Sequence, residues 1–179
     1  MRFFLVVVAL LGLSTGTLGQ AVVPAAGSGP AACPATTEAE SLALARAWHE
    51  EVINRRNPSA LHDILAPEVV HHAAGCYPDV MNANGVSAMM DDFLAAYPDL
   101  RYTFDHFIVR DDHVVERYTA IGTHRGQLGD LPPSGRMATW TGINIFRIRC
   151  GRIAEVWSEV DAVSRRGQLT GAQPTSPPR

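Results

Sequence analysis

Polar and apolar positions change period along the chain, and the changes mark its elements. From Thr37 the pattern is helical: Leu42, Ala45, His49, Val52 and Ile53 recur at three- and four-residue spacing. Thr37 and Glu40 stand at capping-box spacing, so a helix is predicted from Glu38 to near Asn54. Pro58 opens a second, short helix through Leu65, which Pro67 stops. Glu68 to His72 reads as a short strand on which His71 and His72 point opposite ways, leaving His71 as a filler. Asn84-Gly85 leads into a third helix, Val86 to Ala96, with Met89, Met90, Phe93 and Leu94 on its apolar side.

After Leu100 the period falls to two. Leu100 to Arg110 and His113 to His124 are strands joined at Asp111-Asp112, and a glycine- and proline-punctuated loop, Arg125 to Gly135, follows. Two last strands flank Cys150-Gly151, a two-residue hairpin loop. Counting outward from that loop sets Arg149 opposite Arg152, Phe146 opposite Glu155, Asn144 opposite Trp157, Gly142 opposite Glu159 and Trp140 opposite Asp161. These residues are then expected to share one mixed polar and aromatic face, with Thr141, Ile143, Ile145, Val156 and Val160 on the other. Helices first and antiparallel strands after argue an α+β fold with helices packed on one face of a curved sheet.

The ends read differently. Arg2, the apolar run Phe3 to Leu13 and the small residues up to Ala21 form the pattern of a secretory signal peptide over residues 1–21. The run is short for a membrane span, so no stable insertion is expected after cleavage. Residues 22–36 read as a flexible lead-in, 37–170 as one domain and 171–179 as a disordered tail. Three cysteines in an exported chain allow three single pairings, of which Cys33–Cys76 would tie the lead-in down.

Charge and composition narrow the chemistry. A net charge of −3 without a one-sign block argues against nucleic acid. All fifteen basic residues are arginine, so a catalytic lysine and its Schiff base are excluded. His72, His124 and Asp161 have no ligand-pair spacing, so no metal is expected.

The segments RAWHEEVINRRNPSALHDILAPEVVHH, AAYPDLRYTF, GTHRGQLGDLPPSGR and FRIRCGRIAEVWSEVD occur in an order and spacing that resemble the SnoaL-like polyketide cyclase (ester cyclase) family. The resemblance spans Arg46 to Gly171 and implies the nuclear-transport-factor-like cone: three helices closing a strongly bent antiparallel sheet over a deep apolar cavity. It implies cofactor-free intramolecular aldol chemistry, with Asp161 as the acid/base and His124 and His72 at matching histidine positions. Members often carry Tyr where this chain has His49.

The residues themselves support part of that assignment. An aspartate buried between Trp140 and Trp157 would have a raised pKa suited to removing a proton beside a carbonyl. His124 is placed to bond an enolate oxygen. Trp157, Trp140, Asn144, Phe146, His49 and Glu159 are expected to line the substrate site. The expected partner is a small hydrophobic carbonyl compound, turned over without a cofactor or, in the competing reading, carried by a secreted binding protein. A homodimer through the open sheet face is the expected assembly.

Overall fold

A computed structural model describes residues 33–73 and 79–172. The segment expected to be a signal peptide, most of the expected lead-in, Cys76 and the end of the expected tail lie outside the described residues. Helix α1 spans Glu38–Ala47 and continues as a π-helical stretch, Trp48–Asn54. The capping box is present: Glu40 N donates to Thr37 Oγ1, and Thr37 N to Glu40 Oε2 at 2.8 Å. Ser41, Ala45, Trp48, His49, Val52 and Ile53 form its buried stripe. A single 3₁₀ turn (Pro58–Ala60) and α2 (Leu61–Ile64) lead into β1 (Leu65–His72). The second helix is thus shorter than its apolar pattern suggests, and the strand begins before Pro67. The short edge strand β2 (Val80–Met81) and α3 (Ala83–Ala96) follow.

Strands β3 (Arg101–Arg110), β4 (His113–Thr123), β5 (Met137–Arg149) and β6 (Arg152–Val160) complete a sheet of order β2-β1-β6-β5-β4-β3. All pairs are antiparallel except β1 with β6. One face buries alternate residues, among them Val114, Tyr118, Ala138, Trp140, Phe146, Ile153 and Val156, against the helices. The architecture is the expected α+β cone. A fourth helix, α4 (Ala162–Thr170), was not expected; it packs on β5 and buries Arg165 and Leu169.

Two expectations are corrected. Cys150 and Gly151 have φ of 53° and 69°, as a two-residue primed turn requires, and Arg149 does pair with Arg152. But a β-bulge leaves Ala154 over: Ile148 pairs with Ile153, and the next pair is Arg147 with Glu155. Every later residue of β6 therefore changes face. Phe146 pairs with Val156, Asn144 with Ser158 and Gly142 with Val160, while Trp157 and Glu159 lie opposite Ile145 and Ile143 on the outer surface. The disulfide is Cys33–Cys150, with Cα atoms 5.2 Å apart, not Cys33–Cys76. The hairpin tip folds onto the segment before α1, where Gly151 N also donates to Thr36 Oγ1 at 2.9 Å, so Cys150 is the cysteine within reach.

Candidate active site

A half-open cavity of about 70 Å³ lies between α1, α3, α4 and the inner sheet face. Its apolar wall comes from Trp48, Ile53, Met89, Met90, Phe93 and Val160. Its polar groups are His49, His71, Tyr102, Tyr118, Asn144, Ser158 and Arg165. An apolar enclosure with a few aimed polar side chains is the common form of a small-molecule site.

Behind the polar lining, against His49 and Asn144, lies an acidic side chain that sequence pattern did not single out. Glu116 follows Val114 on the inward phase of β4 and is completely buried. His49 comes from the π-helical stretch of α1, a distortion frequent at functional sites. Its Nδ1 lies 2.8 Å from Glu116 Oε1. Asn144 Nδ2 donates to the same oxygen at 3.0 Å and approaches His49 Nε2 at 3.4 Å. Neither Glu116 Oε2 nor His49 Nδ1 has an aligned hydrogen-bond partner among the described residues, so the His49–Glu116 contact is one of proximity. A buried carboxylate with an unmet oxygen costs stability, and such a cost is retained most readily where the group has chemistry to do. Tyr102 and Tyr118 stack beside His49, their rings 4.4 Å apart. Burial first, then the neighbouring Tyr118 phenol, holds the Tyr102 phenol well above its ordinary pKa. Burial likewise pushes Tyr118 up to about 12. Both therefore remain hydrogen-bond donors at neutral pH.

Gly142 makes this arrangement possible. A Cβ there would collide with the ring carbon and hydroxyl of Tyr118, which lies directly across β5.

The expected residues divide. His49 and Asn144 are in the cavity, and Phe146 and Trp140 lie behind its wall on the inner face. Trp157 and Glu159 are on the outer face, moved there by the bulge at Ala154. The two histidines of β1 are exchanged. The parallel register sets His71 beside the buried Val156 and His72 beside Trp157. His71 thus lines the cavity, its Nε2 2.9 Å from Ser158 Oγ, and burial, with the charge of His72, lowers its pKa to about 4 despite the opposing pull of Asp79. His72 faces out, stacked on Trp157 and bonded to Glu155 at 3.0 Å and Asp79 at 3.2 Å. Those two bonds, the one to Glu155 foremost, raise its pKa.

Asp161 is exposed and serves as the N-cap of α4, its Oδ1 accepting from Ser164 N at 3.0 Å. A β6 residue outside the cavity wall takes no part in burying it between Trp140 and Trp157, as the plain register would have required. His124 is buried but outside the cavity: its Nδ1 accepts from Ser134 N at 3.2 Å and its ring stacks on Tyr97, clasping the loop that follows β4. Burial, then the Arg165 charge, lowers its pKa.

Glu116, Tyr102, Tyr118, Ser158 and Arg165 were missed. The signal for Glu116 was present, since a glutamate in phase with Val114, Tyr118 and Ala120 occupies the apolar side of its strand. Arg165 gave no such signal without helix α4. No group of three or more His, Cys, Asp or Glu side chains is arranged to hold a metal among the described residues.

A four-helix cone with a curved, unclosed sheet and one polar-floored cavity defines the class of protein. The sequence matches the model of the SnoaL-like polyketide cyclase family over residues 43–169, and the chain belongs to that family. Among solved structures, TsrD from Streptomyces laurentii is 28% identical with a TM-score of 0.68, covering 77% of this chain and 99% of its own. AclR from Streptomyces galilaeus, described as a candidate hydroxylase, is 26% identical with a TM-score of 0.66 and coverages of 79% and 87%. IdmH from Streptomyces antibioticus, described as a candidate polyketide cyclase, is 27% identical with a TM-score of 0.61 and coverages of 75% and 99%. No curated protein matches the chain.

Proposed function

We propose that this chain is a polyketide cyclase-type enzyme whose base is His49, oriented by Glu116, acting on a hydrophobic carbonyl compound. The observation that carries the reading is the 2.8 Å approach of His49, which lines the cavity, to the buried Glu116 behind it. In this reading the ring would carry its proton on Nδ1, beside Glu116 Oε1, and present the Nε2 lone pair to the substrate in place of the Asn144 amide that now approaches it at 3.4 Å. A carboxylate behind a histidine fixes its tautomer and stabilises the imidazolium that forms.

In the proposed step, Nε2 takes a proton from the carbon next to a carbonyl. The enolate carbon attacks a second carbonyl of the same molecule, forming the ring bond, and the resulting alkoxide recovers the proton from His49. Atoms and charge balance without a redox partner. The neutral phenol of Tyr118, itself accepting from Tyr102, would donate to the developing enolate oxygen. The cavity walls would hold the flexible chain folded, which is where much of a cyclisation's acceleration arises.

The relatives described as cyclases favour ring closure over other enolate chemistry. The apolar run at Phe3 to Leu13 favours export, and the outer sheet face, where Ile108, Met137 and Ile143 are exposed, favours a second copy as partner. The test is a screen of linear poly-β-carbonyl compounds, as free acids and as esters, for ring closure by the mature oxidised protein, followed by ultraviolet absorbance. Ring closure that is lost in His49→Gln supports the enzyme. Saturable binding of such esters with no turnover by the wild type would instead make the protein a carrier.

A further inference from the structure

The cavity contains a cation that the proposed step does not use. Arg165 projects from α4 and is only 5% exposed, yet no carboxylate, carbonyl or other hydrogen-bond acceptor pairs with its guanidinium among the described residues. It lies over two aromatic faces, the Trp140 ring at 5.3 Å and the Phe93 ring at 5.9 Å. Arginine does not deprotonate inside proteins, so the charge is permanent and its five N–H donors need acceptors. Largely burying an ion is costly, and cation–π contacts and the solvent its nitrogens still reach at the cleft return only a part of that cost.

The placement is as informative as the missing partner. Arg165 lines the inner cavity together with His49 and Asn144, and it also lines an outer cleft of about 360 Å³ walled by Leu128, Leu131 and Leu169. It therefore stands where the cleft meets the cavity. Its neighbour Arg166 pairs with Asp130 through both oxygens, at 2.9 and 3.0 Å, which ties α4 to the long loop and fixes the helix that carries Arg165.

We propose that Arg165 is the docking group for a carboxylate on the molecule this cavity binds, so that the ligand is an acid recognised by a bidentate guanidinium contact while its carbon frame lies against Trp140 and Phe93. The inference deepens the proposed function, since it places the carboxylate at the opening and the reacting carbonyl toward His49. Binding alone tests it, so it survives even if the protein catalyses nothing. A guanidinium matches a carboxylate through two parallel N–H···O bonds. An ester or amide of the same acid supplies neither the charge nor the second strong acceptor.

The experiment is calorimetric titration of the mature oxidised protein at pH 7 with benzoate, methyl benzoate and benzamide, small probes of one shape. The wild type is expected to bind benzoate at least ten-fold tighter than either neutral probe. Arg165→Met, which keeps the stem, is expected to lose that preference; Arg165→Lys should keep part of it, and this guards against a folding defect in the first variant. The readout is binding without turnover, which separates failure of this proposal from failure of the catalytic one. Equal affinity for acid and ester, no saturable binding of benzoate, or an acid preference that persists in a folded Arg165→Met would each overturn it.

Discussion

His49 and Glu116 meet 2.8 Å apart with neither side chain reaching solvent. One comes from a helix and the other from a strand 67 positions later, and Asn144 from the next strand touches both. A buried polar cluster of this kind is stable only while every member stays in place. Removing His49 alone leaves the buried Glu116 carboxyl with Asn144 as its one hydrogen-bond partner among the described residues, whereas a change to both removes the buried acid as well. His49→Leu is therefore expected to cost about 3 kcal/mol of stability, and His49→Leu with Glu116→Leu distinctly less than the sum of the single changes. Urea unfolding of the four corners of that cycle measures the coupling.

Gly142 is the position at which a single methyl group should be most disruptive. Its Cβ would enter the space of the Tyr118 hydroxyl and ring carbon and approach the Glu159 carbonyl at 2.8 Å. Gly142→Ala is expected to lower stability by about 2–3 kcal/mol through overpacking. Adding Tyr118→Phe should recover part of the loss, because one of the colliding atoms is the hydroxyl oxygen. Thermal unfolding of the single and double variants checks this.

Acid should weaken the fold through His71. Its pKa is about 4 in the native protein against an ordinary 6.5. Between those values the unfolded chain takes up a proton that the native state refuses, so stability falls as the pH drops from 6.5 to 4. The full effect is on the order of 3 kcal/mol. The outer His72–Glu155 pair works differently: the raised His72 stabilises at and below its ordinary pKa and loses this as pH rises, while the lowered Glu155 loses its share only in acid. Subtracting the His71→Gln stability profile from that of wild type should isolate the loss between pH 6.5 and 4.

The disulfide joins residues 117 apart in sequence. Closing so long a loop restrains the unfolded chain, and reduction is expected to cost about 2–4 kcal/mol. Non-reducing peptide mapping should recover Cys33 linked to Cys150, and reductant should lower the thermal midpoint.

The two ends of the hairpin show what the sequence could and could not convey. The turn was legible because Cys150-Gly151 between two β-rich runs has few other solutions, and the pairing of Arg149 with Arg152 follows from it. The bulge at Ala154 was not, since nothing in Arg-Ile-Ala-Glu-Val distinguishes a bulged alanine from a paired one. That single residue carries Trp157 and Glu159 out of the site. The exchange of His71 and His72 has the same origin in phase: which histidine faces inward depends on parallel pairing with β6, a long-range contact. The capping box of α1 was legible because it is local, and the cap of α4 was equally local but was overshadowed by the chemistry expected of Asp161. Glu116 needed only its strand phase to be noticed, whereas its partner in α1 became visible only in three dimensions.

The central claim is that the base is His49 backed by Glu116 rather than Asp161. Its most direct measurement is deuterium incorporation, by proton NMR in D₂O, at the carbons flanking the carbonyl of 1-phenyl-2-propanone. This isolates proton abstraction from ring closure and needs no natural substrate. Wild type is expected to exceed the buffer rate, His49→Gln and Glu116→Gln to fall by about 10²-fold or more, and Asp161→Asn, whose amide oxygen still caps α4, to match wild type. A wild-type rate equal to buffer, or exchange that survives in His49→Gln and vanishes in Asp161→Asn, would contradict the account.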